Sequence, residues 1–225
     1  MTTSTSSRPP RRARRALGTA SVAVAAAGVT TVASVLLGAG LSPAMADPGD
    51  TYVATGSSQL LQSEDLATVL VPMDTGKVVL GRDADFSSCL GEGNSWTQVL
   101  PGSPKPVTAT WTRRGHRNES LTESLAQAPN EAVAQQWEAI LVQGGIRACR
   151  KPTYDFHYGP LHNDPVGSGR AHWAVSYRGE SKKADGGVAV VRLGTSVGFV
   201  EVNGRWGPSW QTMESVAKVA TDRLG

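Results

Sequence analysis

The sequence predicts an α+β fold, an antiparallel sheet packed by helices on one face and stapled by one disulfide. Three observations point there. Helical and strand patterns come in mixed order, with no alternating strand–helix–strand rhythm of the kind that builds a parallel sheet. Neighbouring strand patterns are joined by hairpin-length links, most plainly at Gly194-Thr195 between two Val-rich runs. Finally, Cys89 and Cys149 are the only cysteines, an even number in a chain whose start reads as an export signal, and exported thiols meet an oxidising setting in which they pair.

That export signal is residues 1–46. Arg8, Arg11, Arg12, Arg14 and Arg15 come first, no charged residue follows from position 16 to position 46, and the stretch closes on Ser42-Pro43-Ala44-Met45-Ala46. A basic start, an apolar run and small residues before a cut are the three parts of a signal peptide, so cleavage is expected between Ala46 and Asp47. The competing reading is a retained N-terminal membrane anchor facing outside, because the uncharged run exceeds the ~20 residues that span a bilayer. Arg14-Arg15 hints at twin-arginine export without deciding between that route and the general one. Either reading puts the remainder outside the cytoplasmic membrane.

Each later element follows from its own pattern. Residues 47–58 are rich in Gly, Thr and Ser and read as a flexible lead-in. Leu60, Leu61, Leu66, Val69 and Leu70, with Ser63 ahead of Glu64-Asp65, predict a short helix within 59–71. Residues 91–106 carry Gly, Ser and three prolines around Trp96 and read as loop. Val107-Thr-Ala-Thr-Trp-Thr-Arg113 has the β-branched and aromatic alternation of a half-buried strand. Residues 121–128 stay open, since Ser120-x-x-Glu123 imitates a helix capping box while Leu121, Glu123 and Leu125 would share one side of a strand.

The clearest helix spans 130–143. Asn130 can cap it, Val133, Trp137, Ile140 and Leu141 form one stripe, and Gly144-Gly145 should stop it. A Pro-rich loop then covers 152–170, succeeded by strands at 172–178, 187–193 and 196–202. Pro208 and Ser209 open a last helix in which Trp210, Met213, Ala217, Ala220 and Leu224 face one way.

Charge narrows the possible functions. Taking five arginines and no acids from 22 Lys+Arg and 19 Asp+Glu leaves 17 against 19, so the basic character belongs to the leader. A mature chain without a dense positive field does not suit a phosphate backbone, and nucleic acid is not an expected partner. About 180 remaining residues suit one domain with a real core. A bridge between Cys89 and Cys149 would close a loop of about 60 residues and contribute about 4 kcal/mol in the chain-entropy model.

No Gly-x-Ser-x-Gly elbow, Gly-x-Gly-x-x-Gly turn or Walker loop is present. The densest polar cluster is Tyr154, Asp155, Phe156, His157, Tyr158, His162, Asn163 and Asp164, with His172 beyond it. His157 and His162 are five apart and Pro152, Pro160 and Pro165 argue against a helix, so a helical metal pair is excluded and neither metal nor cofactor is expected. Aromatic rings beside imidazoles do suit a binding surface, apolar on its faces and hydrogen-bonding at its tips. The candidate ligand-binding residues are therefore Tyr154, Phe156, His157, Tyr158, His162, Trp173 and Tyr177. A hydrolase built on His157, His162 or His172 is the enzymatic alternative, and an interaction protein or inhibitor without a pocket is the third.

From Cys89-Leu-Gly through Trp111, then Glu119-Ser-Leu-Thr-Glu-Ser-Leu-Ala-Gln127, the Trp-bearing helix, Cys149, and the closing hairpin and helix, residues 60–224 resemble actinobacterial extracytoplasmic sensor domains of the PknH type. The resemblance implies a curved antiparallel sheet with helices against it, a strand at 121–128, and a cleft for an extracellular signal. Members of that family usually carry two disulfides, and only Cys89 and Cys149 exist here. A free-standing, monomeric, secreted and non-catalytic module is therefore expected, binding a small molecule, a cell-envelope component or a membrane protein.

Overall fold

The computed structural model describes residues 57–70, 73, 76–80, 94–113, 115–150, 156–179, 181–206 and 209–225, with backbone alone for Arg117, Phe156 and Ser209. Strands β1 (Lys77–Val79), β2 (Val107–Arg113), β3 (His116–Gln127), β4 (Phe156–Tyr158), β5 (His162–Val166), β6 (Gly169–Arg178), β7 (Ala184–Leu193) and β8 (Ser196–Asn203) form one antiparallel sheet. Its order is β1-β2-β3-β8-β7-β6-β4, with β5 also paired to β6. Helices α1 (Ser63–Val69), α2 (Trp96–Val99), α3 (Glu131–Ile140) and α4 (Ser209–Arg223) pack against it. The α+β class therefore holds, and the open stretch is strand as far as Gln127, in register with β2 through Leu121↔Trp111 and Leu125↔Val107.

Helices cover both faces of the sheet, which corrects the one-face expectation. Alternate residues of the central strands enter different cores: Trp173, Val175, Ala189, Val191, Val200 and Val202 join a core beneath α1 and α4. Ala174, Val188, Val190, Val197 and Phe199 join a second core beneath α3. The cue lay in β7, where Val188, Ala189, Val190 and Val191 are all fully buried. A continuous apolar run is what a strand needs when both its sides are dry, whereas one solvated face would alternate.

Local chemistry sets particular features of these elements. Asn130 caps α3 by accepting the Val133 N–H at 3.0 Å. Gly194 takes φ +56 in the β7–β8 turn, a left-handed conformation that suits glycine. Gly187 lets α4 close on β7, because a Cβ there would strike the Met213 side chain.

Four further expectations need correction. Gly144-Gly145 does not end the helix: the chain continues as a π-helix (Leu141–Ile146) and a 3₁₀ turn (Arg147–Arg150). Continuation buries Leu141, Val142 and Ile146 in the α3 core, and that packing outweighs the glycines' cost in a helix. The loop at 152–170 holds β4, β5 and the start of β6. Pro165 is tolerated because β5 pairs with β6 alone, on the edge. Trp210 is 54% exposed, while Met213, Ala217, Ala220 and Leu224 are buried as expected. Trp206 joins the core at that end instead, its indole N–H donating to the Asn203 carbonyl at 2.6 Å. Finally, the loop around 91–106 contains α2, which buries Trp96 completely.

Cys149 is buried in the α3 core. Cys89 lies outside the described residues, and so do the expected export signal, the expected cleavage point between Ala46 and Asp47, and the 47–56 part of the expected lead-in.

Candidate functional site

The edge of the sheet made by β4, β5 and β6 gathers most of the candidate residues. His157 stands opposite Tyr177 and His162 opposite Trp173 in the strand register. Cross-strand partners share a face, so the rings meet. The His162 imidazole lies flat on the Trp173 indole, with centroids 4.0 Å apart and 7° between planes, and His157 stacks on Tyr177 at 5.6 Å and 26°. Trp173 is buried and His162 exposed, so the outer ring covers the inner one. The Trp173 indole N–H donates to the Asp164 carboxylate at 2.5 Å.

Between the two stacks lies Gly159, whose N–H donates to the Val175 carbonyl at 2.9 Å. A Cβ at that position would press on the Tyr177 ring. The result is a strip of two imidazole-on-aromatic steps along one edge. Its rings can stack on a planar or apolar group, and their nitrogens can hydrogen-bond it. Buried Nδ1 of His157 has no hydrogen-bond partner among the described residues.

Not every candidate joins this strip. Tyr158 points to the opposite face and is buried in the α3 core. Tyr154 and the Phe156 side chain lie outside the described residues. Of the other buried indoles near the sheet, Trp137 belongs to the α3 core and Trp111 to the α4 core, which Trp173 shares.

On the α3 face, sequence reasoning missed a buried network. Glu138 receives His172 Nε2 on Oε1 at 2.7 Å and Arg192 Nε on Oε2 at 2.6 Å. His172 Nδ1 meets Asn163 Oδ1 at 2.6 Å. Burial acts to raise the Glu138 carboxyl above its usual range, but the hydrogen bonds from His172 and Arg192 and their charges hold it below. Nothing in the α3 stripe marks Glu138 as inward, because it follows Trp137 directly and only the folded sheet brings His172 and Arg192 beneath it. The other missed carboxyl is Glu123 on β3, fully buried on the α4 face.

A third feature sits at the β2–β3 turn, a hollow of about 680 Å³ lined by Gly115, His116, Asn118 and Glu119. Glu119 binds Arg113 there at 2.7 Å, with His116 Nδ1 3.7 Å from the same carboxylate. The hollow includes none of the candidate residues of the β4–β5–β6 edge. Among the described residues no group of three or more His, Cys, Asp and Glu side chains could hold a metal ion. No helix among them is long and apolar enough to cross a membrane.

With that geometry in place, the chain can be set beside known proteins. No protein-family model matches the sequence, and no curated protein matches it. Among solved structures, the extracellular domain of PknH from Mycobacterium tuberculosis superposes on it with a TM-score of 0.54 at 14% identity. The two share a fold. The match covers 78% of this chain and 98% of that domain, so the likeness takes in that domain almost whole. At this identity it extends to backbone architecture and carries no side-chain roles.

Proposed function

We propose that the chain is an extracytoplasmic sensor-type binding module, secreted after cleavage between Ala46 and Asp47, that takes a small molecule or cell-envelope component on the His157–Tyr177 and His162–Trp173 strip. The observation that carries this reading is the fold shared with 98% of an extracellular domain, found in a chain that opens on an export-type leader. The strip supports the choice of surface, because the exposed His162 ring, backed by Trp173, offers a flat face and polar tips that bind a ligand without needing a reaction centre. A bridge from Cys149 to Cys89 belongs to the same reading and would tie the end of the α3 segment to the stretch of sequence between β1 and α2. A membrane protein is the other partner this module would serve.

The test is a thermal-shift screen of the full chain against envelope fragments, lipids and aromatic small molecules. A ligand at 100 times its Kd stabilises by about 2.7 kcal/mol, or roughly 5–10 °C in a domain of this size. The His157→Ala/His162→Ala double variant should lose that shift while keeping its own melting point within about 2 °C. A ligand whose shift survives in the double variant would move the site elsewhere, and a screen with no shift at all would remove the binding reading.

One observation favours a hydrolase. The Glu138–His172 hydrogen bond is the carboxylate–imidazole half of a catalytic relay. The far nitrogen of His172 meets Asn163, however, and not a hydroxyl. Ester or glycoside turnover that disappears in His172→Ala would decide for this reading.

A further inference from the structure

The N-terminal end of the described domain, residues 57–69, lies as a strap across the sheet. It is fastened by three kinds of contact. Leu60, Leu61 and Leu66 are fully buried in the α4 core. Gln59 donates to the Leu224 carbonyl at 3.2 Å, and Arg223 of α4 binds Asp65 of α1 at 2.8 and 2.9 Å. The third contact is buried: the Leu61 N–H donates to Glu123 Oε2 at 2.7 Å. Glu123 Oε1 has no hydrogen-bond partner among the described residues.

That arrangement suits a carboxylic acid and not a carboxylate. A buried anion needs pairing or several donors, whereas Glu123 has one backbone N–H and an orphan oxygen. The charged groups acting on it are Asp65 from α1 and Arg223 from α4, whose guanidinium is already engaged by Asp65 and Glu64. Its strand neighbours in the register, Ala109 on β2 and Val200 on β8, offer no charge.

We propose that Glu123 is a pH-operated latch: protonated, it holds the strap of residues 57–69 on the sheet, and loss of the proton releases the strap while β7 and β8 stay folded. The strap is the element whose backbone touches the carboxyl, so lifting it is the shortest route by which water reaches a new carboxylate. Burial pushes the Glu123 carboxyl up to about 8 from an ordinary 4.5; the Leu61 N–H opposes the rise, the Asp65 charge adds to it, and Arg223 opposes it. The closed form therefore keeps the proton where the open form has shed it. Opening releases a proton across this window, and its equilibrium constant rises about tenfold per pH unit from about 4.5 to about 8, levelling above that.

Hydrogen exchange on the full chain between pH 5 and pH 9, corrected for intrinsic rates, tests this directly. Protection of residues 57–69 should fall about 100-fold between pH 5 and pH 7, and at pH 9 the strap should exchange while β7 and β8 remain protected. Glu123→Gln keeps an acceptor for Leu61 and no titrating proton, so its strap protection should be flat with pH. If that variant does not fold, the carboxyl carbon shift of Glu123 in the unaltered chain serves instead, with a midpoint near 8 expected. The latch is overturned if strap and β7 exchange with equal protection at every pH, if Glu123→Gln keeps the slope, or if the carboxyl titrates near 4.5.

Discussion

At the scale of single residues, the two buried glutamates show opposite solutions to one problem. Glu138 has two cationic or donor partners and is held below the usual range, while Glu123 has one N–H and is pushed above it. Removing Glu138 as Glu138→Ala would leave Arg192 buried without its anion, which typically costs about 3–5 kcal/mol. Chemical denaturation at pH 7 should read that loss. Because the folded Glu138 carboxyl sits below its ordinary value, its contribution is complete above about pH 4.5 and lost as pH falls through the folded value. The gap between the original chain and Glu138→Gln should therefore close on acidification; a gap that stays constant down to pH 2 would show that Glu138 acts by packing alone. Gly186 is a second kind of fixed residue, with φ +112 and its missing Cβ facing the Val202 carbonyl. Gly186→Ala should destabilise by more than about 2 kcal/mol, since the obstacle is backbone and cannot swing away.

At the scale of elements, some assignments were legible because one stretch of chain holds the whole signal. The α3 cap is such a case, with Asn130 and the apolar stripe adjacent in sequence. Asn130→Ala should cost about 1 kcal/mol by leaving the Val133 N–H without its acceptor; no change in denaturation midpoint would mean another group takes over. The Gly194-Thr195 hairpin was legible for the same reason. Where pattern reading failed, long-range packing had overruled it. Gly144-Gly145 carries a local stop signal, but Val142 and Ile146 gain a buried place by continuing. Trp210 fits the α4 stripe, yet Trp206 enters the core in that region. The candidate strip was half legible: the sequence named His157, His162, Trp173 and Tyr177, but only strand register shows that they stack in pairs while Tyr158 turns away.

At the scale of the whole molecule, β6, β7 and β8 serve two cores at once, so the cores cannot melt independently. Trp137→Ala on one face and Met213→Ala on the other should each cost about 2–5 kcal/mol and lower the same single unfolding transition. Two separate transitions in either variant would contradict the shared-sheet picture. The two glutamates also set a global pH profile. Stability should fall below about pH 4 as Glu138 gains its proton, and fall between about pH 5 and 8 as the folded state alone keeps the Glu123 proton. A melting point highest near pH ~5 is the expected sum, and a maximum at pH 8 would show that Glu123 does not titrate as its surroundings require.

By itself, the sequence determined the class of fold, the β7–β8 hairpin, the α3 cap and the chemical make-up of the candidate strip, because each rests on residues close together in the chain. Tertiary structure alone decided that the sheet is covered on both faces, that His172 belongs to Glu138 and Arg192, and that Glu123 lies beneath the N-terminal strap. Those outcomes depend on which distant side chains share a dry space, and burial and charge pairing between residues far apart in the chain leave no periodic trace to read.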